Sequence, residues 1–172
     1  MPSHKPHLAA ARIVQDAGGE LVGRTRLQKI AYLMQLAGFG DNFHFEYHHY
    51  GPYSEDLAQA MEIAVALGPV EEEERVTDWG GRYSIYTLNE NRSASDPDRA
   101  SFVQQAKEVN AIELELVATA AYLFVSEGIN NPWQETSRRK PNKAADGRLE
   151  RAVRAYEELR KARTREPLPQ LP

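Results

Sequence analysis

Apolar residues recur every three or four positions along two stretches near the start of the chain. The first stretch begins after Pro6 and stops at Gly18, and its apolar positions are Leu8, Ala11, Val14 and Ala17. The second stops at Gly38, and its apolar positions are Leu27, Ile30, Ala31, Met34 and Ala37. Since proline favours the first turn of a helix and glycine its end, both stretches predict helices.

The period then changes to two. Residues 43–48 alternate aromatic and polar side chains, which predicts a short strand ended by Gly51-Pro52. Ser54 is a suitable N-cap for a third helix that ends at Gly68. Two β-like runs, 70–77 and 82–88, flank a turn and predict a hairpin. Glu71 to Glu74 place carboxylates on both faces of its first strand, which suits an exposed sheet edge.

The second half of the chain is predicted to be helical. A polar linker over 89–98 leads into a helix that starts at Asp96-Pro97. Another helix starts at Asn110 and contains the most apolar segment of the chain. A last helix is predicted over 143–163, and the proline-rich residues 164–172 are predicted to be a disordered tail.

This order of elements predicts an α+β, mainly α fold. Helix, helix, strand, helix and hairpin follow one another as in a winged helix. We therefore expect a single domain over 8–163, in which a winged-helix-like half (8–90) packs against a helical half (98–163).

Composition narrows the chemistry. The 172 residues, 41% of them hydrophobic, suffice for one core. The absence of cysteine excludes disulfides, thiol nucleophiles and thiolate metal sites. No apolar run approaches the roughly 18 residues that span a bilayer, so we expect a cytoplasmic protein that does not bind membranes.

Charge is distributed unevenly along the chain. Residues 1–137 carry 10 Lys/Arg and 20 Asp/Glu, whereas residues 138–172 carry 11 and 5. The basic end could fold back onto the acidic body, contact an acidic partner, or form a solvated helix face.

Two segments resemble a known family. Residues 24–33 (RTRLQKIAYL) and 49–54 (HYGPYS) are similar to the "LQK" helix and the "GP" turn of the Panacea/SocA-like antitoxin domain and its YwgA-like relatives. Residues 79–86 resemble the hairpin of the YwgA-like branch, and the resemblance extends over about residues 8–160. This chain has Gly-Pro-Tyr-Ser at the turn, where many Panacea members have Gly-Pro-Val.

The resemblance implies a non-enzymatic protein without a cofactor. Members of the antitoxin branch neutralise a cognate toxin by direct contact, and at least one acts as a proteolytic adaptor. We expect a protein partner, with the acidic hairpin steering a basic surface toward the contact. The expected contact residues are Arg24, Arg26, Gln28, Lys29, Tyr50, Gly51, Pro52 and Tyr53. In the alternative interpretation, Gln28 crosslinks the turn and Lys29 is solvated.

A DNA-associated regulator is the second hypothesis. The third helix has no Lys or Arg and the hairpin is acidic, so neither suits phosphate. Nucleic acid would instead meet Arg148, Arg151 and Arg154, which recur every three positions on the last helix.

A metal-dependent hydrolase is the remote alternative. His44, Glu46 and His48 share one strand face and could bind zinc, but no distant cluster complements them. Ser54 lacks a nucleophile-elbow setting, and Gly18-Gly19 lacks the Gly-Lys-Ser/Thr of a phosphate loop. We therefore predict no metal site and no catalytic residue.

Overall fold

The protein has an α+β, mainly helical fold. A computed structural model describes residues 5–90, 93–94 and 96–172. The helices are α1 (Pro6–Asp16), α2 (Arg24–Leu36), α3 (Glu55–Leu67), α4 (Pro97–Lys107), α5 (Ala111–Val125), α6 (Pro132–Arg139), α7 (Pro141–Ala144) and α8 (Arg148–Arg160). The strands are β1 (Glu20–Val22), β2 (Glu46–His48), β3 (Gly51–Tyr53), β4 (Val70–Val76) and β5 (Arg82–Leu88). Within the described residues, no helix is long and apolar enough to cross a membrane.

The predicted hairpin forms a three-stranded antiparallel sheet with a strand that the sequence did not reveal. The strand order is β1-β5-β4, so β4 lies at one edge. β1 pairs with β5 and places Leu21 opposite Tyr86. A three-residue strand is too short for alternation to be recognised.

The strand predicted over 43–48 is shorter than expected. Only Glu46–His48 is a strand, and it pairs with Gly51–Tyr53, which places Glu46 opposite Tyr53. Phe43 and Phe45 lie before it in irregular backbone and are buried. The alternation therefore reflects aromatic side chains filling the core as well as a strand.

Three predicted helix starts are confirmed by side-chain caps. The Ser54 hydroxyl accepts a hydrogen bond from the Leu57 backbone N–H. The Asp96 carboxylate accepts from two backbone N–H groups at the start of α4, and Asn110 does the same for α5. Each cap satisfies N–H groups that a helix cannot bond internally. The linker predicted over 89–98 includes residues 91, 92 and 95, which lie outside the described residues.

Helix α5 lies at the centre of the protein. It packs against α2, β3, α6 and α8, so one hydrophobic cluster extends through both predicted halves. Its fully buried apolar side chains are Leu114, Leu116, Val117, Ala118, Ala120, Ala121 and Leu123.

A cluster of charged side chains joins α4 to α1 and to the segment that follows α2. Arg99 of α4 is buried and contacts the carboxylates of Asp16 and Asp41, and it donates to the Phe39 carbonyl at 2.8 Å.

The last predicted helix is interrupted. Residues 143–163 were expected to be one helix, but α7 and α8 are separated by Asp146 and Gly147, which have φ values of 60° and 78°. Helix α6 was not predicted, because its short segment is mostly polar.

The final residues differ most from expectation. Residues 164–172 were predicted to be disordered, but they pack along α8 and the end of α2. Leu168 and Leu171 are buried, and Ala37 accepts hydrogen bonds from the backbone N–H groups of Arg165 and Glu166. The hydroxyl of Tyr156 donates to the Pro169 carbonyl at 2.5 Å.

Removing that hydroxyl tests the packing of the tail. We expect Tyr156→Phe to lower the free energy of unfolding by about 1 kcal/mol, because the Pro169 carbonyl loses its donor. Urea denaturation measures the change. If the tail were free in solution, Tyr156→Phe and wild type would have equal stability.

Candidate functional site

The two segments that carry the family resemblance contact each other. Gln28 on α2 accepts a hydrogen bond from the Ser54 N–H at 2.8 Å and donates to the Ser54 carbonyl at 3.0 Å. Beside it, the Lys29 ammonium donates to the Pro52 carbonyl at 2.7 Å. These bonds fasten the corner formed by residues 48–54 to α2.

The same corner packs against α5. Gly51 has a φ of +92°, and a Cβ atom added to it would lie 2.4 Å from the Thr119 Oγ1. That hydroxyl oxygen is buried, and among the described residues it has no hydrogen-bond partner. Gly51 is thus needed both for its left-handed backbone and for the close approach of the corner to α5.

A buried carboxylate organises the cations around the corner. Glu115 of α5 accepts from Lys140 at 3.0 Å and from Lys143 at 2.8 Å. Lys140 also donates to the His49 carbonyl at 2.7 Å. Glu115 and Lys140 have side chains that are 6% and 7% exposed, so solvent contributes little to balancing their charges.

Of the charged residues that surround this corner, Lys29 is the least exposed, at 1%. Burial lowers its pKa from 10.5 to about 7; the negative charge of Glu115 opposes this shift, and the positive charges of Lys140 and Lys143 add to it. The described residues give Lys29 only a carbonyl as a hydrogen-bond acceptor, so its ammonium form is poorly compensated.

The dependence of the free energy of unfolding on pH should reveal the lowered pKa of Lys29. Its folded pKa lies below its unfolded value, so between about pH 7 and 10.5 the unfolded chain binds more protons and stability rises with pH. Lys29→Met should remove that contribution, which amounts to at most about 1.4 kcal/mol per pH unit. Urea denaturation at several pH values measures the slope. The exposed Lys161→Met variant is the control and should keep the wild-type slope; an unchanged slope in Lys29→Met would contradict the assignment.

Four of the predicted contact residues do not form a surface. Gln28, Lys29, Gly51 and Pro52 are buried, so as the structure stands they cannot meet a partner directly. This corrects the expectation that they lie at the contact. The alternative that Gln28 crosslinks the turn describes its observed bonds, whereas Lys29 is not solvated.

The two arginines at the start of α2 have different surroundings. Arg26 is half-buried and donates to the carbonyls of Lys107 and Val109 at the end of α4, and burial lowers its pKa. Arg24 stays exposed and donates to Glu72 of β4 at 2.7 Å. Arg26 therefore connects α2 to α4, while Arg24 connects α2 to the hairpin.

The two tyrosines of the corner are the more accessible predicted residues. Tyr50 is 56% exposed, and the Lys143 ammonium lies 4.5 Å from the centre of its ring. Tyr53 is half-buried and its ring lies 4.8 Å from that of His48. Both remain predicted partner contacts.

The three candidate zinc ligands do not converge. His44 and Glu46 approach to 3.4 Å on the surface, whereas His48 packs against Tyr53. In the part of the chain that the structure describes, no group of three His, Asp or Glu residues is arranged to hold a metal ion.

The basic stripe predicted for nucleic acid is largely engaged within the protein. Arg148 donates to the carbonyls of Asn142 and Lys143, which close the turn before α8. Arg151 contacts the carboxylate of Glu113 at 3.3 Å. Arg151 and Arg154 are both exposed, and of the three arginines Arg154 is the one without an ion pair among the described residues.

Sequence reasoning missed the exposed aromatic residue at the tip of the hairpin. Trp79 lies in the β4–β5 turn and is 84% exposed, and the neighbouring Val76 is 67% exposed. A tryptophan in a glycine-containing turn between polar strands was the available signal, because such a position has no core to enter.

The comparisons with known proteins agree with part of the resemblance. No protein-family model matches the chain. The chain is similar to "Uncharacterized protein YwgA" of Bacillus subtilis (strain 168), with 27% identity over 164 residues that cover 91% of this chain and 97% of that protein. The chain is therefore YwgA-like along almost its whole length.

Proposed function

We propose that this protein is a non-enzymatic interaction module of the antitoxin or proteolytic-adaptor type. The observation that carries the proposal is the acidic hairpin that exposes Trp79 at its tip. Large exposed aromatic residues supply much of the energy of protein–protein contacts when a partner covers them. The function is binding: the module occludes its partner or presents it to a protease.

The charge of the hairpin indicates the kind of partner. Glu71, Glu73 and Glu74 are exposed on β4, and Asp78 lies beside Trp79. Such a field attracts a basic protein surface and speeds its association. The same charges repel nucleic acid, so they argue against DNA as the ligand of this surface.

The corner formed by residues 48–54 supports this proposal because it is bonded to the same helix as the hairpin. Gln28 and Lys29 fasten the corner from within, and Arg24 of the same helix reaches the hairpin through Glu72. The backbone that carries Tyr50 and Tyr53 is therefore held in a fixed relation to α2, which limits the entropy that ordering this segment on binding would cost.

A co-purification experiment tests the function. Tagged wild-type protein and the Trp79→Ser variant would each be isolated from the native cell together with the proteins that co-purify. The control is Leu67→Ser, which also removes an exposed apolar residue, at the end of α3. We expect Trp79→Ser to weaken retention of a specific partner about 30-fold, the effect of ~2 kcal/mol at a hot spot. Leu67→Ser should retain it.

The antitoxin form of the proposal has a cellular readout. A partner that arrests growth when expressed alone should be tolerated when this protein is co-expressed, and Trp79→Ser should not restore growth. The proposal fails if no protein co-purifies specifically, or if Trp79→Ser and Leu67→Ser retain the same partner equally.

A further inference from the structure

We propose that the outer edge of β4 accepts an extended basic segment of the partner as an additional strand. The inference rests on the proposed function and specifies how binding occurs. β4 is an edge strand of the sheet β1-β5-β4, and from Glu71 to Val76 all but Glu72 are exposed. A new strand would extend the order to β1-β5-β4-partner, as in other cases of strand addition.

The hydrogen bonds of β5 identify which backbone groups of β4 are free. Ser84 accepts from the N–H of Gly23, and the N–H of Leu88 donates to Gly19, so even-numbered residues of β5 face β1. Odd-numbered residues of β5 must then bond to β4.

The register of the hairpin completes this assignment. The partners of the odd-numbered residues in β5 are Glu71, Glu73 and Arg75. The backbone N–H and C=O groups of Glu72, Glu74 and Val76 therefore point away from the sheet. Among the described residues, nothing pairs with this outer row.

The carboxylates of β4 determine which kind of strand can pair with this edge. A second copy of the chain, added edge to edge, would bring the run Glu71 to Glu74 against itself, and like charges directly opposite one another destabilise a sheet. Charged side chains on an edge strand oppose pairing between two copies in this way. A strand with Lys or Arg at alternate positions places its cations on one face, where they lie opposite two of these four carboxylates and attract them.

The apolar end of the edge supports the same occupant. Val76 ends β4 with its backbone groups facing outward, and Trp79 follows in the turn. A strand aligned along Glu72 to Val76 would end close in sequence to the turn that carries Trp79. We therefore expect the partner segment to combine alternating basic residues with an apolar residue that contacts Trp79.

A proline substitution on the outer row separates strand addition from simple charge attraction. Glu74→Pro removes an N–H that the sheet does not use, so the fold should persist, because proline is tolerated at edge positions whose N–H faces solvent. Glu74→Gln removes the same charge but keeps the N–H. The probe is a fluorescent synthetic peptide of one strand length that alternates Lys with Val and ends in Leu.

Fluorescence anisotropy measures binding, with circular dichroism as the check of folding. We expect Glu74→Pro to weaken binding at least about tenfold and Glu74→Gln about threefold. A peptide of the same sequence with N-methylated amides on the side facing β4 should also bind at least about tenfold more weakly to wild type. The N-methylated peptide keeps the test decisive if Glu74→Pro does not fold.

Either of two results would overturn strand addition. Equal binding of the N-methylated and parent peptides, or no binding of the parent peptide to wild type, excludes this use of the edge. If Trp79→Ser still abolishes retention of the cellular partner, the proposed function stands while strand addition falls. If both experiments are negative, both proposals fall.

Discussion

Replacing Glu115 by leucine is expected to lower the free energy of unfolding by about 3–5 kcal/mol. Glu115 is buried and is the carboxylate that contacts both Lys140 and Lys143. Without it, the one acceptor that the described residues leave to the Lys140 ammonium is the His49 carbonyl, in a place with little access to water. Lys143 loses less, because its side chain is 34% exposed and can be hydrated. Urea denaturation at neutral pH measures the loss.

A double-mutant cycle separates this charge effect from packing. Lys140→Met alone leaves Glu115 with Lys143, so it should cost less than Glu115→Leu. The double variant Glu115→Leu/Lys140→Met removes both buried charges and should recover most of the stability, to within about 2 kcal/mol of wild type. If the double variant were as unstable as the sum of the two single variants, the pair would be uncoupled and our account of the corner would be wrong.

Much of the fold was predictable because local signals decide where helices begin and end. Ser54, Asp96 and Asn110 are polar residues directly before apolar helical patterns, and each caps a helix in the structure. The hairpin was predicted for the same reason, since its turn residues Gly80 and Gly81 interrupt two β-like runs. These features depend on neighbouring residues alone.

Burial of charge was not predictable by the same reasoning. Polar residues at the start of a helix are usually solvated, so Gln28 and Lys29 were interpreted as surface residues. They are buried because the corner at Pro52 and Ser54 covers them, and that contact joins segments more than 20 residues apart. One signal was available: Glu115 interrupts the most apolar helix between Leu114 and Leu116, and a carboxylate in that position needs a cation.

The tail was mispredicted because its composition was considered without its spacing. Proline favours an extended helix of three residues per turn. Leu168 and Leu171 are three residues apart, so such a backbone presents both on one face, and in the structure both are buried. Proline-rich composition alone therefore did not reveal that the tail packs against the protein.

For the candidate site, too, the sequence indicated the local segments but not the long-range contacts between them. The family resemblance singled out the LQK and GP segments as partner contacts, but in the structure they contact each other inside the protein. The surface that we propose for the partner is the exposed hairpin, which the resemblance covers from Trp79 onward.

Replacing Gly51 by alanine should disrupt the corner while leaving its other residues intact. The backbone at Gly51 has a φ of +92°, which costs an alanine about 1–2 kcal/mol. The new methyl group would also meet the Thr119 Oγ1 at 2.4 Å, and overpacking of a core contact costs about 1–3 kcal/mol. Together these effects predict a loss of about 2–5 kcal/mol in the free energy of unfolding, measured by urea denaturation.

The matched control is Gly68→Ala at the end of α3. Gly68 has a φ of +102°, close to that of Gly51, but an added Cβ atom would meet nothing within 4 Å. Gly68→Ala should therefore show the backbone strain alone, and the difference between the two variants measures the contact with α5. Adding Thr119→Ala should recover part of the loss in Gly51→Ala, because it removes the hydroxyl that the methyl group meets. Equal losses in Gly51→Ala and Gly68→Ala would show that the corner does not press against α5 at Gly51.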